Sequence, residues 1–121
     1  MTDISCEALV VHCMDYRLQK SLNDWLDKNP GAGHYDRVAI AGGALDIYSV
    51  LKQIELAVRV HRIRKVILVN HEDCRAYGSA GTFERHKTDL IEAERKIHAL
   101  YMNLIVEKYY LKLDGTFEQV Y

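Results

Sequence analysis

The hydrophobic residues of this chain occur in two patterns, as short continuous runs and as helical stripes. Residues 8–13 and 65–70 are apolar runs rich in β-branched side chains, and residues 37–41 form a shorter one. Such runs are typical of strands that are covered on both faces of a sheet. We therefore predict three strands, at residues 8–13, about 37–41 and 65–70.

Helical stripes separate these strands. Leu18, Leu22 and Leu26 recur at helical spacing, and the segment Asn29-Pro30-Gly31 ends that helix because proline lacks the amide hydrogen. A second helix follows the glycine pair of the next turn, with Asp46 or a neighbouring residue as its N-cap. The predicted apolar face of this helix consists of Ile47, Val50, Leu51, Ile54, Val58 and His61.

The last third of the chain predicts one long helix and a hairpin. Residues 82–106 interleave charged residues with apolar ones at helical spacing, so we expect an amphipathic helix there. The tail from Tyr109 alternates around Asp114-Gly115, a dipeptide that strongly favours a hairpin turn. Strands that alternate with helices imply an α/β fold with a mostly parallel sheet, a C-terminal antiparallel edge strand, and ligands at the carboxyl ends of the strands.

Composition and charge limit the classes of function. With 121 residues, 49% of them hydrophobic and 27% charged, the chain fits a single globular domain over residues 1–121. The formal net charge of −1 offers no basic excess for nucleic acid or a membrane surface, and no run reaches ~18 apolar residues. The amino terminus is acidic and does not look like a signal peptide, so we expect a cytoplasmic protein.

Cysteine and histidine residues supply the candidate chemistry. Three cysteines are an odd number for disulfides in a reducing compartment, which leaves metal binding or free thiols. Cys13 ends the first predicted strand, and His71 and Cys74 follow the third, so all three lie at one edge of a parallel sheet. Two thiolates and an imidazole suit zinc and leave its fourth position open. Asp15 and Arg17 strengthen this prediction, although they could also form an ion pair that only stabilises the loop.

These motifs resemble those of the β-class carbonic anhydrases. Cys13-Met-Asp15-Tyr-Arg17 is similar to their Cys-x-Asp-x-Arg motif, and the strand leading into His71-Glu-Asp-Cys74 is similar to their His-x-x-Cys motif. The Ala41-Gly42-Gly43 turn stands in the place of their Ala-Gly segment, and residues 110–115 look like their late strand and turn. The resemblance thus extends in order through nearly the whole chain.

The resemblance implies a three-layer fold with helices on both faces of the sheet, and one zinc ion per chain on Cys13, His71 and Cys74. It implies the reversible hydration of carbon dioxide to bicarbonate by zinc-bound hydroxide, since zinc lowers the pKa of bound water. Asp15 would accept a hydrogen bond from that hydroxide or, in a closed state, become the fourth zinc ligand. Arg17 would hold Asp15 ionised. A homodimer or a higher homo-oligomer is also implied.

Some positions depart from the family pattern. The chain begins almost at its first strand, so the family's amino-terminal helical arm would be missing, and Tyr16 and Arg75 stand where serine and glycine are usual. The candidate substrate pocket is formed by Ala41, Gly42 and Gly43. These departures leave two alternatives open: a zinc hydrolase that acts on an analogue such as carbonyl sulfide, and a zinc-binding module without turnover.

One cysteine and five histidines lie outside these motifs. Cys6 stands apart from the motifs and is interpreted as a free thiol, and His12 as a packed core residue. His86 has two interpretations, a solvated helix position, which we favour, and a proton shuttle, because the pKa of histidine lies near neutrality. The other three histidines are not predicted to be ligands: His34, His61 and His98.

Overall fold

A computed structural model describes residues 4–121, and its centre is a five-stranded sheet. The strands are β1 (Ala8–His12), β2 (Tyr35–Ala39), β3 (Lys65–His71), β4 (Ile105–Leu111) and β5 (Phe117–Val120). Their order across the sheet is β2-β1-β3-β4-β5, and β1 to β4 are parallel while β5 is antiparallel to β4. This is the α/β sheet that the sequence predicts, including its antiparallel edge strand.

The central strands β1 and β3 are buried along almost their whole length. Every residue of β1 is buried, and so is every residue of β3 after Lys65. Because both faces of these strands are covered, apolar side chains occupy consecutive positions instead of alternating with polar ones. The register pairs His12 with Val69, so the chain leaves β1 at Cys13 while β3 continues for two more residues, to His71.

Three α-helices cover the two faces of the sheet. They are α1 (Gln19–Leu26), α2 (Ile47–His61) and α3 (Phe83–Leu100). Successive residues of a strand point to opposite faces, so Leu9 and Val11 of β1 join the core under α2 and α3, whereas Val10 joins the core under α1. The result is a three-layer α/β fold. Among the helices within residues 4–121, none has the length and apolar character needed to cross a membrane.

Side-chain caps begin the two longer helices. The Asp46 carboxylate accepts a hydrogen bond from the Ser49 amide at 3.2 Å, and the Thr82 hydroxyl accepts one from the Arg85 amide at 3.1 Å. These bonds satisfy amides that lack a carbonyl partner in the first turn of a helix. The prediction of Asp46 as an N-cap is confirmed.

Two predicted boundaries are wrong. The long helix ends at Leu100 instead of near residue 106, and β4 begins at Ile105. Glycine and proline are absent from the sequence at this end, whereas the β-branched pair Ile105-Val106 favours a strand. β2 lies two residues earlier than predicted, which leaves Ala41 in the turn that follows it.

The hairpin between β4 and β5 forms around Asp114 and Gly115, as predicted. Gly115 has a φ of +92°, a left-handed conformation that favours glycine. The Asp114 carboxylate accepts a hydrogen bond from the Thr116 amide at 2.9 Å, and the Lys112 amide donates to the Thr116 carbonyl at 2.8 Å. These bonds turn the chain so that β5 pairs with the outer side of β4.

Candidate metal centre

The three predicted ligand side chains meet at the carboxyl edge of β1 and β3. Cys13 directly follows β1, His71 is the last residue of β3, and Cys74 lies in the turn beyond it. One ligand atom of each residue lies within 4.8 Å of the other two. All three residues are buried, with no more than 5% of each exposed. Parallel pairing of adjacent strands thus brings together residues that are far apart in sequence.

The His71 ring is held by the backbone in an orientation that leaves one nitrogen free. Nδ1 lies 2.7 Å from the Glu72 carbonyl oxygen, and because a carbonyl can only accept, Nδ1 donates and Nε2 carries the lone pair. Nε2 is buried and has no hydrogen-bond partner within residues 4–121. A buried polar atom without a partner is costly, and a backbone bond on the opposite ring nitrogen commonly supports metal-binding histidines. The residues present therefore fit a metal ion.

The two thiols of the centre differ in pKa. Burial acts to raise the pKa of Cys13, but the adjacent His71 side chain and a hydrogen bond from the Gly42 amide lower it to about 7. The Gly42 amide nitrogen lies 3.4 Å from the Cys13 sulfur. Burial raises the pKa of Cys74, and the neighbouring Cys13 adds to that effect. One thiol therefore ionises readily near neutral pH, and a bound cation would favour ionisation of the second.

Asp15 and Arg17 form a close ion pair beside the thiols. Arg17 Nη2 lies 2.7 Å from Asp15 Oδ2, Nε lies 3.1 Å from Oδ1, and the Arg17 amide also donates to Oδ1 at 2.9 Å. The amide bond caps a 3₁₀ turn, Tyr16–Leu18, that leads into α1. Hydrogen bonds from Arg17 lower the pKa of Asp15 to about 2, although burial acts against them. The carboxylate is thus ionised at neutral pH and acts only as an acceptor.

Arg17 also connects the loop after β1 with the turn that carries two ligands. Its Nη1 donates to the Asp73 carboxylate and its Nη2 to the Asp73 carbonyl oxygen, both at 3.0 Å. Asp73 lies between His71 and Cys74 and has a left-handed φ of +56°. Sequence reasoning does not identify Asp73, and its position inside the His-x-x-Cys motif is the one signal that points to it.

Sequence reasoning also does not identify a buried polar network behind His71. Asn70 Oδ1 accepts a hydrogen bond from the Ala44 amide at 3.0 Å. Its Nδ2 lies 3.1 Å from the Tyr77 hydroxyl and 2.9 Å from His86 Nδ1. These contacts fix the turn after β2 against the end of β3. A polar residue within an apolar strand is the signal that could have indicated Asn70.

His86 is not solvated, so the favoured interpretation of this residue is wrong. It is fully buried and lies against the rings of Tyr77 and Tyr110, with centroid distances of 4.0 and 5.5 Å. Burial, followed by the nearby His71, lowers the pKa of His86 to about 4. The ring is therefore neutral at physiological pH and has no contact with water through which to exchange protons. The sequence signal was its helical spacing from the other buried residues of α3: Leu90, Ala93 and Ile97.

An open cavity of about 550 Å³ lies in front of Cys13. It is lined by Cys13, Met14, Asp15, Tyr16, Arg17, Ala41, Arg75 and Ala76. Tyr16 is 86% exposed and the Arg75 side chain 82% exposed, so both lie at the mouth and leave the cavity open. Of the predicted pocket residues, Ala41 lines the cavity. Gly42 and Gly43 are not among its lining residues: the Gly42 amide donates to the Cys13 sulfur, and Gly43 lies close to Asn70.

The remaining histidine and cysteine predictions have different outcomes. His12 is buried as predicted; its Nδ1 lies 2.8 Å from the Cys13 carbonyl oxygen, and Arg37 donates to its Nε2 at 2.7 Å. Cys6, by contrast, does not stand alone, since its side chain lies close to Asp36 and to the ring of His61.

Comparison with known proteins finds a matching family and a relative of similar sequence. A family model described as "Putative carbonic anhydrase" matches residues 4–121. An uncharacterized protein of Rickettsia bellii is 24% identical over 132 residues, which cover 93% of this chain and 80% of that protein.

Solved structures of carbonic anhydrases share the fold. The carbonic anhydrase from Glaciozyma antarctica superposes with a TM-score of 0.71 at 14% identity, and the match covers 100% of this chain and 85% of that one. A chain from the tetrameric β-carbonic anhydrases of Sordaria macrospora gives a TM-score of 0.58 at 15% identity, covering 97% of this chain and 81% of that one. At these identities the matches show a common fold.

Proposed function

Because the chain belongs to this carbonic anhydrase family, we propose that it is a zinc-dependent lyase that reversibly hydrates carbon dioxide to bicarbonate. The observation that carries the proposal is the buried Nε2 of His71, which has no hydrogen-bond partner among the described residues and lies beside the thiols of Cys13 and Cys74. The proposed cofactor is one zinc ion per chain, because two sulfur donors and one imidazole nitrogen form a set that zinc prefers.

Cys13, His71 and Cys74 would hold the ion, and a set of three protein ligands leaves one tetrahedral position for a small molecule. When bound, zinc lowers the pKa of water and so supplies a nucleophile near neutral pH. The cavity in front of Cys13 gives a small uncharged substrate access to this position. The Glu72 carbonyl keeps the His71 ring in the required tautomer.

Asp15 is the proposed catalytic acceptor, and Arg17 is the residue that positions it. The Arg17 guanidinium keeps Asp15 ionised, so this carboxylate can accept a hydrogen bond from the nucleophile and orient it towards the substrate. Both carboxylate oxygens of Asp15 already accept bonds from Arg17, which favours an open site over a closed state with Asp15 as a ligand.

We also propose that the protein is a homodimer or a higher homo-oligomer. Among the described strands β2 pairs only with β1, so its outer side can bind a second copy of the chain. The Sordaria macrospora enzymes are tetrameric. A single domain over residues 1–121 and a cytoplasmic location stay predictions from the sequence.

Stopped-flow measurement of carbon dioxide hydration tests the function. Zinc-loaded protein is expected to exceed the buffer rate, and Cys74→Ser to lose both zinc and activity. Asp15→Asn removes the charged acceptor without changing its size, so we expect a rate lower by about 100-fold or more with zinc retained. The control is Asp24→Asn, at an exposed acid of α1 paired with Lys20, which should keep the wild-type rate.

Three results would contradict the proposal in different ways. A zinc content well under one per chain, in protein made with excess zinc, would show that the proposed metal centre does not form. One zinc per chain with hydration no faster than buffer would favour the non-catalytic module. Hydrolysis of carbonyl sulfide without hydration of carbon dioxide would favour the alternative hydrolase.

A further inference from the structure

A second cluster of metal-ligating side chains lies at the opposite edge of the sheet. Cys6 precedes β1, Asp36 is the second residue of β2, and His61 is the last residue of α2. One ligand atom of each lies within 4.8 Å of the other two. We propose that Cys6, Asp36 and His61 bind a second zinc ion.

This cluster is separate from the carbonic anhydrase centre. Cys6 and Cys13 lie beyond opposite ends of β1, seven residues apart along an extended chain. At a rise of about 3.3 Å per residue the two sites are on the order of 20 Å apart. The second ion would therefore neither share ligands with the first nor contact its substrate.

Hydrogen bonds hold the three residues together before an ion binds. The Cys6 amide donates to the His61 carbonyl oxygen at 3.1 Å, which fixes the start of β1 against the end of α2. The His61 ring nitrogen Nδ1 lies 2.6 Å from Asp36 Oδ2. The backbone and the side chains thus converge on one point, so binding requires only small rearrangements of the ligands.

The donor types of the cluster and its position at a helix end favour a cation. Its thiolate, imidazole and carboxylate are the three donor types that zinc accepts in proteins. His61 lies in the last turn of α2, at the negative end of the helix dipole. The side chains of His61 and Asp36 are 32% and 31% exposed, so a water molecule can complete a tetrahedral shell.

Binding changes the protonation of Cys6. In the metal-free chain, burial and the nearby Asp36 raise the pKa of Cys6, so the thiol is protonated at neutral pH. The ion replaces the thiol proton, which goes to solvent, and forms the bond to Sγ.

Cobalt(II) spectroscopy tests the second site. The protein is first given one equivalent of zinc and is then titrated with cobalt(II), whose thiolate complexes have a charge-transfer absorption. We expect one further cobalt per chain with this absorption in the wild type, and its loss in Cys6→Ser. Asp36→Asn and His61→Gln should each weaken cobalt binding by about tenfold or more. His34→Gln is the matched control, because this exposed histidine lies beside Cys6 but outside the cluster.

The readout separates this proposal from the first metal centre. Only the part of the absorption that Cys6→Ser removes belongs to the second site, so it can be measured whether or not zinc fills the first. The proposal would be overturned if Cys6→Ser removed none of the cobalt–thiolate absorption, or if His34→Gln removed the same absorption to the same extent. Cys6→Ser could lose the circular dichroism spectrum of the folded chain. In that case the cobalt affinities of Asp36→Asn and His61→Gln test the proposal, and wild-type affinity in both variants would overturn it.

Discussion

Arg17 binds both oxygens of the Asp15 carboxylate, with Nη2 2.7 Å from Oδ2 and Nε 3.1 Å from Oδ1. The same guanidinium donates to the carboxylate and to the carbonyl oxygen of Asp73, in the turn that carries His71 and Cys74. One side chain therefore sets the charge of the proposed acceptor and the position of two proposed ligands.

The first prediction concerns the shape of Arg17 as distinct from its charge. Arg17→Lys keeps the positive charge but cannot bind Asp15 and Asp73 together through a planar fork. We expect carbon dioxide hydration to fall by about tenfold or more because Asp15 is then less well oriented, and to fall further in Arg17→Met. Stopped-flow rates are compared with the zinc content of each protein, which should remain at one per chain.

The control for Arg17 is Arg95→Lys. Arg95 makes a similar two-point pair with Glu92 on the exposed surface of α3, so its replacement should leave hydration unchanged. Wild-type rates in both Arg17→Lys and Arg17→Met would show that the pair only stabilises the loop.

The second prediction compares two glycines that both have left-handed backbone conformations. Gly43 has a φ of +59°, and a Cβ there would lie 2.7 Å from Asn70 Oδ1 and 2.9 Å from the Val69 carbonyl oxygen. Gly33 has a φ of +83° and open space around the same position. Gly43→Ala should therefore lower the free energy of unfolding by about 1–3 kcal/mol more than Gly33→Ala, as measured by urea unfolding. Equal losses of unfolding free energy in the two variants would mean that small shifts of Asn70 and its neighbours relieve the close contact.

The strands and the ligand motifs could be predicted because their signals are local. Burial on both faces requires consecutive apolar residues, and this pattern places Cys13 and His71 at strand ends. The short spacing within Cys-x-Asp-x-Arg and His-x-x-Cys reflects single turns of the backbone, so Asp15 and Arg17 could be assigned beside Cys13 from the sequence.

The remaining features depend on contacts between distant segments. The bond from Arg17 to Asp73 forms only when two loops meet, and the network of Asn70 with His86 forms only when α3 packs on β3. Cys6 stands apart from the motifs in the sequence because its neighbours in the fold come from β2 and α2. The sequence places the end of α3 too late because the apolar residues Leu104, Ile105 and Val106 are compatible with a helix as well as with a strand.

The third prediction concerns assembly. β2 has a paired side against β1 and a free side within the described sheet, and an unpaired edge of this kind can bind another strand. We expect analytical ultracentrifugation to give a mass of two or more chains at micromolar concentration. A single-chain mass over the whole concentration range would contradict the homo-oligomer and leave the proposed chemistry untouched, since the proposed ligands come from one chain.

The fourth prediction concerns the pH dependence of stability, which His86 should control in part. Burial lowers the pKa of His86 to about 4 in the folded chain, against an ordinary value of 6.5. Between these two pH values His86 is protonated in the unfolded chain but not in the folded chain. The free energy of unfolding therefore falls by up to about 3 kcal/mol as the pH is lowered through this window. Above pH 6.5 the ring is neutral in both the folded and the unfolded chain, so this loss of stability is absent.

His86→Gln tests this directly, because glutamine can accept the Asn70 hydrogen bond but does not titrate. The stability advantage of the wild type over His86→Gln, measured by urea unfolding with a chelator present, should shrink as the pH is lowered from 7.5 to 4.5. The exposed His34 is the control site, and His34→Gln should follow the wild-type curve. An advantage that stays constant with pH would mean that His86 becomes protonated in place, and that the cluster of Asn70, Tyr77 and His86 admits a charge.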